Sequence, residues 1–165
     1  MADLSFIPQG LFPVTGAAPE TTNGGKTADY ISLKNTQMCY VVIHLKQAVG
    51  HATAFTVERA TDVAATGSVA IANVVPIYYG NVSATSTQLA RQTDAVSFTA
   101  DVGVTGNVII IFVIDPTNLG STYDCITVKS ANSGQATNIW EVMYWVEPRY
   151  ESKVASMSAN EFIVD

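Results

Sequence analysis

From Tyr30 onward the chain alternates between apolar and polar positions. Ile31 and Leu33 face one way and Ser32 and Lys34 the other. Cys39, Val41, Ile43 and Leu45 then share a face opposite Tyr40, Val42, His44 and Lys46. Phe55 and Val57 point inward where Thr56 and Glu58 point out. The cleanest run sets Val96, Phe98, Ala100 and Val102 against Ala95, Ser97, Thr99 and Asp101. A period of two marks half-buried β-strands, because successive side chains leave a pleated strand on opposite faces. Between them, Val69 to Val82 is less regular and is interrupted by Pro76 and Gly80.

Val108 to Ile114 is apolar at every position. That pattern fits a central strand with a covered outer face, or one whose outer face is an oligomer contact. With Cys125 to Ser130 and Ile139 to Val146 the tally reaches about eight strands, set apart by Gly, Asn, Asp and Pro turns at uneven spacing. The expected fold is all-β: a single antiparallel β-sandwich of jelly-roll type with extended N- and C-terminal arms. No helix longer than a turn or two and no internal repeat is expected.

The ends depart from this pattern. Residues 1–28 carry Pro8, Gly10, Pro13, Gly16, Pro19 and Asn23-Gly24-Gly25, with no sustained period. They read as an extended N-terminal arm anchored by Phe6, Ile7, Leu11 and Phe12. At roughly 3.3 Å per residue such an arm reaches on the order of 90 Å. The β-sandwich body is expected over 29–150, and 151–165 reads as a C-terminal tail tipped by Phe162, Ile163 and Val164.

Composition strengthens the β reading. Twenty Val and eighteen Thr stand against six Leu, and β-branched residues are stiff at χ1 and pack well on a pleated surface. Only 13% of residues are charged, about half the usual share, so the exposed polar positions are mostly Thr, Ser, Asn and Gln. Such a surface suits a protein covered by neighbours in an assembly. The net charge of −6, with eight basic residues and no two of them adjacent, argues against nucleic acid as a partner, since a phosphate backbone calls for a Lys/Arg footprint. The N-terminus lacks the basic segment of a secretory signal, so synthesis in a cytoplasm is expected. The longest strand-like apolar run, Val108 to Ile114, falls well short of the ~20 residues a membrane-spanning helix needs. Cys39 and Cys125 lie on separate strands and read as reduced, buried thiols, a disulfide being the alternative if those strands are neighbours.

Candidate chemistry is sparse. The two histidines, His44 on an outward strand face and His51 after Gly50, sit in neither a nucleophile elbow nor a metal-ligand spacing. Glu141 and Glu147 share a strand face, but six positions apart they stand roughly 20 Å from each other, too far for a glycosidase pair at about 5 to 9.5 Å. Gly103 to Gly106 lacks the following Lys and helix of a phosphate loop, and reads as a hairpin turn. Asn81-Val82-Ser83 matches a glycosylation sequon with no secretion signal to support it. A different constellation is more telling. Trp140, Val142, Tyr144 and Val146 form the natural core face of their strand, so Met143 and Trp145 point outward between Glu141 and Glu147. Aromatic and Met side chains inside a charged rim are what protein–protein contacts favour; the alternative is that another loop or arm of the same chain covers Trp145.

Several segments carry a resemblance. They are Tyr30 to Asn35, Thr56 to Asp62 with Gly67, Val113 to Pro116 with Leu119, Tyr123-Asp124-Cys125 with Val128, and Glu147 to Tyr150. Together they resemble small virion proteins of tailed bacteriophages found with the major capsid protein, of the capsid decoration (cement) type. The likeness covers about residues 27 to 150, and its motifs are turns and strand ends. It implies a non-enzymatic structural protein with no catalytic residue, cofactor or metal, bound to the outer surface of an assembled capsid after synthesis in the host cytoplasm. The implied partners are the major capsid protein and neighbouring copies in a homo-oligomer such as a trimer. Contacts are expected from Phe6, Ile7, Leu11, Phe12, Met143, Trp145, Phe162, Ile163 and Val164. The alternative is a receptor- or glycan-binding β-sandwich of a tail or head fibre, for which Tyr78-Tyr79-Gly80 is the candidate stacking site. An enzyme such as a glycan hydrolase ranks third.

Overall fold

Alternating β-branched and polar residues build strands throughout the computed structural model, which describes residues 10–48, 50–81, 88–100 and 106–149. In chain order these are β1 (Phe12–Thr21), β2 (Lys26–Thr27), β3 (Ile31–Ser32), β4 (Thr36–Gln47), β5 (Ala54–Ala60) and β6 (Val69–Ala70). There follow β7 (Ile77–Asn81), β8 (Ala90–Arg91), β9 (Ser97–Thr99), β10 (Gly106–Ile114), β11 (Cys125–Ser130) and β12 (Ile139–Pro148). One 3-10 turn, Pro116–Leu119, starts at Asp115, whose Oδ1 accepts from the Thr117 backbone N–H at 2.9 Å and from the Thr117 hydroxyl at 2.7 Å.

The strands form two antiparallel sheets in a β-sandwich-like arrangement. The first sheet has the order β1-β12-β4-β10-β7-β8. The second runs β2-β11-β5-β6, with β3 also on β11 and β9 also on β5. Register in the first sheet sets Val142, Ile43, Ile110 and Tyr79 in one row and Tyr144, Val41, Phe112 and Ile77 in the next. From β4, β10 and β12 the inward residues are all fully buried. They meet Phe55, Val57, Ile126 and Val128 of the second sheet in one core. The Phe55 and Trp140 rings stack across it, 5.8 Å between centroids, in the offset arrangement aromatic quadrupoles prefer.

Both large buried aromatics with polar tips find partners, as burial demands. The Trp140 indole N–H donates to Glu20 Oε1 at 3.4 Å, and the Tyr144 hydroxyl donates to the Asp29 carbonyl at 2.9 Å. Tyr144 also explains Gly16: a Cβ there would collide with the Tyr144 ring.

At one end of the sandwich a fully buried Asn138 ties three loops together. Its Oδ1 accepts from the Ala48 N–H at 2.8 Å, and its Nδ2 donates to the His51 carbonyl at 3.0 Å and the Thr53 hydroxyl at 3.2 Å. Its own carbonyl accepts from the Thr22 N–H at 3.0 Å.

Two expectations need correction. The N-terminal arm does not extend to residue 28. Phe12–Thr21 is a ten-residue strand on β12, and Lys26–Thr27 pairs with β11. Its prolines are tolerated because β1 is an edge strand with a single neighbour, where a missing N–H need break no ladder. Its ladder with β12 also shifts register after Thr15 and after Ala17, so Gly16 and Pro19 fall at the irregularities and the period of two is lost. The described residues also hold twelve strands rather than about eight, four of them only two residues long. Apart from β3 (Ile31–Ser32), which lies in the alternating run from Ile31 to Lys34, such short ladders leave no periodicity to read. The sequence's regular strands do stand: β4, β5 and β12 present the faces their alternation assigns.

Candidate contact surface

Because β4, β10 and β12 turn their even-spaced apolar residues into the core, the intervening positions form the outer face of the first sheet. Register aligns these in rows. One row runs Thr15, Met143, Val42, Ile111 and Tyr78; the next runs Pro13, Trp145, Tyr40 and Val113; a third sets Glu141, His44, Ile109 and Gly80 side by side. Met143, Val42, Ile111, Trp145, Tyr40, Val113, Ile109 and Tyr78 are each half-buried. Leu89, 45% exposed, extends the patch at the β7 edge, where the missing side chain of Gly80 lets it lie close to the sheet.

Charge stands toward the Gln47 end of this face, at the opposite end, and at the β8 edge, where Arg91 aligns with Tyr78 and pairs with Asp94. His44 and Lys46 are exposed near the Gln47 end of β4, and Glu141 sits opposite His44. Glu147 lies at the other end, opposite Met38. Among the described residues the ion pairs are Lys26–Glu20, Lys34–Asp124, Arg91–Asp94 and Lys129–Glu58, so Lys46, Glu141 and Glu147 enter none.

The expected contact residues separate into three groups. Met143 and Trp145 stand on this face as the alternation of β12 requires. Phe12, the first residue of β1, sits opposite Val146 and packs against the core, and Leu11 precedes it, half-buried. Phe6, Ile7, Phe162, Ile163 and Val164 lie outside the described residues. What the sequence reading missed is the contribution of Tyr40, Val42, Ile109, Ile111 and Val113 to the same surface. The signal was there in the outer parity of β10, but strand order is needed to place it beside Met143.

No group of three or more His, Cys, Asp or Glu that could hold a metal ion occurs among the described residues. Cys39 and Cys125 are free and buried. Burial pushes the Cys39 thiol far above its ordinary value. Burial, reinforced by a hydrogen bond to Asp124, pushes Cys125 up to about 12, so neither is a thiolate nucleophile at neutral pH. The densest polar group is Glu58 with Ser68, Tyr30 and Lys129. The Ser68 hydroxyl donates to Glu58 Oε2, Lys129 Nζ is 2.7 Å from the same oxygen, and the Tyr30 hydroxyl is 2.6 Å from Ser68. It contains no histidine and straps the turn before β6 to the second sheet. Arg59 likewise holds the 3-10 turn, donating to the Leu119 carbonyl with its guanidinium 4.2 Å above the Tyr123 ring. At the candidate stacking site, the Tyr79 ring is committed to Phe98, 5.2 Å between centroids, while Tyr78 stays on the outer face. No helix among the described residues is long and apolar enough to cross a membrane. Comparison with protein-family models, with curated proteins and with solved structures finds no match to this chain.

Proposed function

We propose that this chain is a non-enzymatic virion structural protein, a decoration (cement) protein that binds the outer surface of an assembled bacteriophage capsid and stabilises it. The observation that carries the reading is the broad apolar outer face of the first sheet, on a β-body with few charges. A face of this kind suits lasting protein contact better than it suits a solvated monomer. The partners in this reading are the major capsid protein and neighbouring copies of the chain.

The strand order supports a jelly-roll reading of the sandwich. Taking β1, β2, β4, β5, β6, β10, β11 and β12 as the eight strands, the sheets read β1-β12-β4-β10 and β2-β11-β5-β6. Two interleaved Greek keys produce that order, and β7 and β8 extend the first sheet beyond it.

Stabilisation in this reading is mass action. A protein that binds the assembled shell and not free subunits shifts the equilibrium toward the shell, and symmetric repetition adds avidity without demanding a strong single contact. The test is co-sedimentation of the purified chain with mature, undecorated phage capsids. Saturable binding near one copy per capsid subunit, with raised heat resistance of the shell, is the expected result. Absence of binding, with attachment to host cells or purified glycans instead, would transfer the chain to a tail or head fibre.

A further inference from the structure

We infer that the outer face of the first sheet pairs with the same face of a second copy about a two-fold axis. This deepens the proposed function only in that it rests on reading the face as a contact surface.

Three observations carry it. The first is shape and area. Five strands about 4.8 Å apart, over the nine residues from Met38 to Lys46 at about 3.3 Å each, give a footprint of about 24 by 30 Å, on the order of 700 Å². A stable interface needs about 800 Å² per partner, so a sheet face of this size is nearly sufficient alone. The partner best shaped to a twisted sheet face is another sheet of the same twist, stacked about 10 Å away.

The second is the distribution of polarity. From β12 to β10 the rows through Val42 and Tyr40 are apolar, while His44 and Glu141 on one side, Lys46 and Glu147 at the ends and Arg91 at the β8 edge surround them, as the core and rim of an interface are arranged.

The third is self-complementarity. Val42 and Met143 are opposite one another in the middle row. Lys46 lies four positions beyond Val42 along β4, and Glu147 lies four positions beyond Met143 along β12. Because β4 and β12 are antiparallel, the two charges sit at opposite ends of the face, each about 13 Å from its centre. A two-fold axis running across the strands through the middle row reverses strand direction. It therefore lays the Lys46 end of one copy over the Glu147 end of the other, and does so twice, as an isologous contact must. Lys46 and Glu147 have no ion-pair partner within their own chain among the described residues, so both are free for this one.

Sedimentation equilibrium of the full chain reads the mass directly. The expected result is a dimer, or an even multiple of it, at roughly 10 µM chain. Ile111→Lys puts a charge into the central row and should raise the dissociation constant about 100-fold or more, with circular dichroism and melting temperature of the monomer preserved because the residue points away from the core. Lys46→Glu and Glu147→Lys, at the rim where folding is not at stake, should each weaken association by roughly threefold to tenfold, and the double swap should restore it to within about twofold. A wild-type monomer at about 100 µM, a dimer indifferent to Ile111→Lys, or single swaps that the double swap does not rescue would each overturn the pairing. Capsid co-sedimentation is scored separately. A monomer that binds shells fails this inference and keeps the virion reading; a dimer that ignores shells does the reverse.

Discussion

Replacing Asn138 by alanine should cost the fold about 3 kcal/mol, because its side chain closes three hydrogen bonds where water does not reach. Asn138 and Thr53 are both fully buried. Without the amide, the Ala48 N–H loses its acceptor and the Thr53 hydroxyl loses its donor, while the His51 carbonyl keeps the Gln47 Nε2 at 3.1 Å. Two newly unsatisfied groups at about 1 to 2 kcal/mol each account for the figure, and the small cavity adds to it. For a chain of this length the melting temperature should fall by about 6 to 12 °C. Urea unfolding followed by the fluorescence of buried Trp140 measures it, with an unchanged slope required if only the folded state is touched. Asn138→Asp sharpens the test. The carboxylate still accepts from Ala48, but its second oxygen now meets the His51 carbonyl with no proton between them. Burial and that contact raise the folded-state pKa of the new carboxyl above its unfolded value of about 3.9. The penalty is therefore full at neutral pH and shrinks as pH falls through the folded value, so the gap to wild type should narrow in acid. A loss below about 1 kcal/mol for Asn138→Ala, or a gap for Asn138→Asp that widens in acid, would refute the reasoning.

Gly16→Ala should destabilise by about 1 to 3 kcal/mol, since the new methyl overlaps the Tyr144 ring in a fully buried setting; calorimetry checks it, and a melting temperature within about 1 °C of wild type would show that the ring yields. Stability should decline in base. The thiols of Cys39 and Cys125 are raised in the folded state above their ordinary 9.0, chiefly by burial, and the Tyr144 phenol is raised above its ordinary 10.0 for the same reason. The unfolded chain therefore releases these protons first, so stability is intact below about pH 9 and is lost as pH climbs beyond it. Urea midpoints between pH 8 and 10.5 should fall, by less in Cys39→Ala than in wild type relative to each protein's own pH 8 value. A flat profile would mean that the thiols reach solvent.

Legibility in the sequence followed how many neighbours a strand has. β4 and β10 each lie between two partners and β12 between β1 and β4, so a one-residue slip would turn every core side chain to the outside. In β4 and β12 that constraint shows as alternation, and the inward sets Cys39 to Leu45 and Trp140 to Val146 read correctly from spacing alone. β1 has one partner, two register shifts and a glycine demanded by a ring from another strand. None of these leaves a periodic mark, and prolines that would exclude a central strand are harmless at an edge. The two-residue strands are held by neighbours more than by propensity, and apart from β3, whose Ile31 and Leu33 alternate with Ser32 and Lys34, they leave no period to read. Asn138 looks like an ordinary turn residue until the three loops around it are assembled. The same logic governs the candidate surface. Met143 and Trp145 announce themselves because they break the expectation that an outward parity is polar. Ile109, Ile111 and Val113 break it equally, but an apolar strand on both parities also describes a strand buried on both sides. Only the register of β10 on β4, and of β4 on β12, turns two ambiguous strands into one continuous apolar face. That face spans strands distant in sequence, so an interface formed on it depends on the whole sandwich being folded. Destabilising the distant Asn138 cluster should therefore weaken association only through the population of folded chains, whereas Ile111→Lys should weaken it with the fold intact.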